Sequence, residues 1–227
     1  MKKRVLSAIA ALLIMVPIVF HGGLIYALTI YVLSMIGLFE FLHVKNSHKE
    51  IPSFIMFISY IVMTLFVLGN IQNKDVVFSI NYQVLVGLFL VFSIPAVLYH
   101  ERSKYSIVDS FYFIGGIFFL GTSFSLLITL RNISLNLILY LFIITIITDT
   151  YAYLVGRLIG KTKLLETISP NKTLEGMIGG TVVGVFVGTL FYHTVVDSLL
   201  PLYIVIIMTV FLSVLGQFGD LFFSAIK

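Results

Sequence analysis

The run Ser169-Pro170-Asn171-Lys172-Thr173-Leu174-Glu175-Gly176 sets two hydroxyls, an amide, an amine and a carboxylate close together in a chain that is 59% hydrophobic. Such donors, with one fixed positive charge, suit a phosphate-rich ligand held at a lipid surface. Two acidic residues extend the pattern. Asp149 follows Thr145 and precedes Ala152, Gly156 and Gly160 at helical spacing, and Ser213, Gln217, Asp220, Ser224 and Lys227 share one face of a second helix. Carboxylates inside apolar helices cost a few kcal/mol, roughly, on insertion scales, so each is expected to face a partner or a wet cavity. The blander reading pairs each Asp with a neighbouring Lys or Arg. Two polar stripes that converge beside a polar loop point instead to one site.

Other chemistry finds less support. Cysteine is absent, which removes disulfides, thiol nucleophiles and thiolate metal sites. No His/Asp/Glu spacing matches zinc, and no Ser sits in a nucleophile elbow. Gly156-Arg157-Leu158-Ile159-Gly160-Lys161-Thr162 has three residues between its glycines where a P-loop has four, and it follows an apolar helix rather than a strand. Glu40 and His43, one turn apart, read as an interfacial hydrogen-bonded pair, and Asp109 as a helix cap. His21, His193 and Asp197 fall near the opposite surface.

The elements that must position these residues are membrane helices. Charged residues make up 11% of the 227-residue chain and mean hydropathy is +1.11, which excludes an ordinary soluble domain. The apolar runs predict an all-α, polytopic transmembrane helix bundle of about eight helices in one integral membrane domain. They fall at Val5–Phe20, Leu24–Val44, Ile51–Gly69, Tyr82–Tyr99, Ile107–Leu130, Ile133–Gly156, Met177–His193 and Leu199–Phe218. Strands are not expected. Lys2, Lys3 and Arg4 precede a first span with no convincing cleavage site, so it reads as a retained helix.

Of the 14 Lys and Arg residues, 12 collect on one side of this topology and only Lys74 and Arg131 on the other. Both termini and residues 157–175 are therefore expected in the cytoplasm. The same asymmetry explains the basic balance through anionic headgroups, with no nucleic acid. Gly176, Gly180, Gly184 and Gly188 recur every fourth residue, a small-residue face for close helix approach.

Four pieces follow in order: Asp149-Thr150-Tyr151-Ala152-Tyr153, Gly156 to Lys161, Ser169 to Gly176, and Gly219-Asp220-Leu221 through Ser224 to Lys227. Together they resemble the phosphatidate cytidylyltransferase (CDP-diacylglycerol synthase) family, closely over the C-terminal third and upstream mainly in hydropathy. The resemblance implies a plasma-membrane enzyme that makes CDP-diacylglycerol and pyrophosphate from CTP and phosphatidic acid, with Mg²⁺ and an active site facing the cytoplasm. It implies Asp220, Lys172 and Asp149 as catalytic residues, with Asp220 and Asp149 as metal ligands. Ser169, Asn171, Thr173, Glu175, Ser224, Lys227, Arg157 and Lys161 are then the expected substrate contacts. A homodimer is left open. The family signature continues past Lys227 with further glycine and acidic elements, so the chain is expected to be clipped, lacking a metal ligand and a final helix. The alternatives are an inactive truncated relative, or an ion- or proton-coupled transporter using Asp149 and Asp220. The absence of a clear internal repeat weakens the transporter.

Overall fold

The computed structural model describes residues 2–46, 51–69, 82–98, 104–196 and 200–226, and the chain divides into two compact units, Met1–Leu135 and Asn136–Lys227. The first unit holds α1 (Lys2–His21), α2 (Gly23–Asn46), α3 (Ser53–Leu68), α4 (Tyr82–Leu98) and α5 (Ile107–Ile133). The second begins in α6 (Leu135–Ile159) and continues through strands β1 (Lys163–Leu165) and β2 (Ser169–Thr173). It ends with α7 (Leu174–Phe191), a π-helical turn at Tyr192–Val196, and α8 (Leu202–Ile226).

The expected all-α bundle is what forms. Among the described residues, five helical stretches are long and apolar enough to cross a membrane: Gly23–Val44, Ile107–Ile133, Leu135–Ile159, Leu174–Val196 and Leu202–Ile226. Helices Ser53–Leu68 and Val84–Leu98 are apolar but shorter. The protein is a multi-pass membrane protein.

In the first unit α5 packs against α2, α3 and α4. Two helix breaks are answered by side chains, since lipid offers no water to satisfy free backbone groups. Gly22, at φ +69°, turns the chain between α1 and α2, and there Arg131 donates to the carbonyls of Val19 at 2.6 Å and Phe20 at 2.9 Å. In α4, which contains Pro95, the Phe92 carbonyl accepts from Tyr105 at 3.1 Å and Ser110 at 2.8 Å. The cap of α5 is reciprocal. Ser106 is the N-cap, and Asp109, expected to be the cap itself, accepts from the Ser106 backbone at 2.8 Å. Among the described residues His43 stacks on Phe39 rather than meeting Glu40.

The second unit departs from expectation in two places. Residues 157–175 do not form a plain loop. Helix α6 carries Arg157 on its last turn, and the chain then folds into an antiparallel hairpin pairing Lys163 with Thr173 and Leu165 with Ser169. Pairing satisfies backbone groups that an irregular loop would leave to be solvated. Helix α8 runs to Ile226, well past the expected end at Phe218, so Asp220 and Ser224 stay on the same helix as Ser213.

Candidate active site

The site starts from a seam without side chains. Gly176, Gly180, Gly184 and Gly188 are the buried residues of α7. A Cβ on Gly176 would lie 2.5 Å from the Ala152 carbonyl oxygen, and one on Gly180 would lie 2.5 Å from that of Thr148. On Gly184 it would run into the Thr148 hydroxyl, and on Gly188 it would meet Ile144 and Thr209, each at 2.8 Å. Small residues therefore let α6 and α7 touch backbone to backbone. The face of α6 in this seam is Ile144, Thr148, Ala152 and Gly156. It differs from the expected stripe: Thr145 is exposed and its hydroxyl donates back to Leu141. Asp149 follows the seam residue Thr148 and is exposed.

Helix α8 joins this pair through polar contacts. Tyr140 and Thr209 share a hydrogen bond of 2.6 Å, and Thr148 and Ser213 one of 2.9 Å. Gln217 donates to Thr181 at 2.8 Å and to the Met177 carbonyl at 3.4 Å. Thr209, Ser213 and Gln217 are buried, and each has its partner, as polar groups inside a bundle require. Asp220 lies on the next turn, where α8 emerges.

The hairpin is anchored at both ends of its ladder. Thr173 caps α7, its hydroxyl accepting from the Gly176 N–H at 3.2 Å. The same side chain leaves no room at Gly156 and Gly160, where an added Cβ would lie 2.8 Å from its hydroxyl oxygen. The Leu174 N–H donates to the Thr162 carbonyl at 2.9 Å, and both Glu175 oxygens accept from the Thr162 N–H, at 3.0 and 3.2 Å. Lys163 donates to the Pro170 carbonyl across the hairpin.

From this anchored strand Lys172 reaches α8. Its Nζ stands 3.1 Å from Asp220 Oδ2, with the two side chains 31% and 58% exposed. Asp149 lies within electrostatic range of both Asp220 and Lys172. Two carboxylates and one ammonium, all ionised, carry a formal charge of −1.

The remaining expected contacts lie on α6, the hairpin and α8. Ser169 and Asn171 lie on β2 with Lys172, while Arg157 is on the last turn of α6 and Lys161 lies between α6 and β1, both exposed. The Ser224 hydroxyl bonds back to the Asp220 carbonyl at 2.7 Å. Lys227 lies outside the described residues. Sequence reasoning misses Thr148, and it meets Thr162 only as the end of the P-loop lookalike. For Thr148 the signal is present, four residues before Ala152 and eight before Gly156; for Thr162, which acts through its backbone, there is none.

Residues 2–227 match the Cytidylyltransferase family. A phosphatidate cytidylyltransferase of Staphylococcus haemolyticus (strain JCSC1435) is 35% identical over 228 residues, covering 100% of this chain and 85% of the relative. That of Staphylococcus epidermidis (strain ATCC 12228 / FDA PCI 1200) is 34% identical over 229 residues, with the same shares covered. The enzyme of Staphylococcus aureus (strain COL) is 33% identical over 229 residues, again covering 100% and 85%.

Proposed function

The chain belongs to the cytidylyltransferase family, and from that premise we propose how its residues move a cytidylyl group from CTP to phosphatidate. The reaction gives CDP-diacylglycerol and pyrophosphate, a step of phospholipid biosynthesis. A phosphatidate phosphate oxygen attacks the α-phosphorus of CTP, the bond to the β-phosphate oxygen breaks, and pyrophosphate departs. No covalent enzyme intermediate is needed. Both reactants are polyanions, so positioning and charge neutralisation are the main tasks.

The observation that carries this reading is the Lys172–Asp220 pair with Asp149 in range of both charges. Exposed ion pairs contribute little, about 0–1 kcal/mol, so this one opens readily to ligand. Once its carboxylate partner is engaged elsewhere, Lys172 is free to meet a phosphate oxygen. Ser169 and Asn171 precede it on β2 as hydrogen-bond donors, and the Thr173 hydroxyl, which accepts from the Gly176 N–H, keeps its own proton to donate. Arg157 and Lys161 supply positive charge for the lipid phosphate or the leaving pyrophosphate.

Asp149 and Asp220 fit Mg²⁺. Among the described residues no group of three His, Cys, Asp or Glu forms a complete protein cage, but Mg²⁺ is commonly held by one or two carboxylates plus substrate phosphates and water. When bound there it would draw charge from the phosphate oxygens. The asymmetry of Lys and Arg supports an orientation with this site on the cytoplasmic side.

The test is product formation by purified protein in mixed micelles of phosphatidate and detergent, with CTP and Mg²⁺. CDP-diacylglycerol and pyrophosphate should appear in equal amounts, and Asp220→Asn, Lys172→Ala and Asp149→Asn should each suppress both. Wild-type rates in all three variants would remove this site from the reaction.

A further inference from the structure

We propose that Glu175 is a positioning residue that clamps the hairpin so that Lys172 meets Asp220, and that it does not bind substrate. The inference rests on the site described above. Glu175 is the second residue of α7, after the N-cap Thr173. An acidic residue in a first turn ordinarily complements the helix dipole, and one at the third position closes a capping box on its own N-cap. Glu175 does neither alone: its carboxylate reaches 13 positions back to the Thr162 N–H, which both oxygens accept.

Thr162 is thereby held twice, by Glu175 at its N–H and by the Leu174 N–H at its carbonyl. These contacts close the mouth of the hairpin immediately before the Lys163–Thr173 pair. Lys172 is the neighbour of Thr173, so its direction depends on that register. A two-stranded hairpin is marginal by itself. This one has a single short strand pair, and its placement relies on contacts at its mouth. With both oxygens turned to the Thr162 N–H, the Glu175 carboxylate is oriented by the protein toward the hairpin mouth.

The test compares Glu175→Gln with Glu175→Ala in the full protein. The Gln carbonyl oxygen still accepts from Thr162, so Glu175→Gln should keep kcat/KM within about threefold of wild type. Glu175→Ala should lose about tenfold or more, chiefly through a higher KM for CTP, the scale expected for a lost charge-assisted hydrogen bond. Amide exchange across residues 162–173 should quicken in Glu175→Ala and stay slow in Glu175→Gln. If Gln fails as badly as Ala while hairpin exchange is unchanged in both, the carboxylate acts on ligand directly and the proposal is overturned. It is equally overturned if Ala changes neither rate nor exchange. Should Glu175→Ala fail to fold, Glu175→Asp, one methylene shorter, takes its place. Lys172→Ala and Asp220→Asn run in parallel. Wild-type rates there would sink the site reading, while the exchange data would still judge the clamp.

Discussion

Lys172 Nζ and Asp220 Oδ2 meet at 3.1 Å although 48 positions separate them, and they form an ion pair that ties the β-hairpin to α8. Both side chains are open enough to be reached by ligand. The pair marks where the hairpin and helix ends converge, and its value lies in what replaces it.

Separation of activity from stability follows. Asp220→Asn should lower turnover by about a hundredfold or more, the scale of losing one preorganised electrostatic contact. Its unfolding free energy should shift by less than about 1 kcal/mol, because the pair is exposed. Initial rates of CDP-diacylglycerol formation and thermal unfolding in detergent measure the two; a parallel collapse of both would contradict the assignment.

Divalent binding without nucleotide gives a second check. Manganese titrated by electron paramagnetic resonance should bind Asp220→Asn more weakly than wild type. Lys172→Ala should bind it more tightly, by about fivefold, the worth of one nearby exposed charge. Weaker binding in Lys172→Ala would mean that the lysine does not compete for Asp220.

Glycines of similar local sequence should respond in opposite ways. Gly184→Ala drives a methyl into the Thr148 hydroxyl and should destabilise by about 1–3 kcal/mol through overpacking. Gly216→Ala on α8 has nothing within 4 Å of the added carbon and should be neutral or gain up to about 1 kcal/mol of helix propensity. Thermal unfolding of the two variants side by side decides this.

The Thr148–Ser213 contact is a buried polar tie between α6 and α8, as is Tyr140–Thr209. A double-mutant cycle with Thr148→Val and Ser213→Ala should give a coupling of about 0.6 kcal/mol, typical of hydrogen bonds within membranes. Additive effects would show that packing alone joins the two helices there.

What is legible in the sequence follows from which features recur or stand out chemically. The ladder from Gly176 to Gly188 reads directly, because a period of four along an apolar helix has few other meanings. Asp149, Lys172 and Asp220 stand out because charge is rare in such a chain, and Lys172 and Asp220 meet in an ion pair. The stripe on α6 is one residue off expectation, since Thr145 and Thr148 are chemically alike and only packing against Gly184 distinguishes them. The hairpin is hidden because Lys163 to Thr173 lacks the alternation of a strand, and its closure depends on the backbone of Thr162, which carries no side-chain signature.

A contact face with evenly spaced, identical rungs is ambiguous by one rung. Sliding α7 along α6 by a single turn would set glycine opposite nearly the same surface, so the ladder permits closeness without choosing an alignment. Thr173, seated where Gly156 and Gly160 leave room, acts as an end-stop. Thr173, beside Lys172, and the Gln217–Thr181 bond therefore choose together the rung that the ladder leaves open.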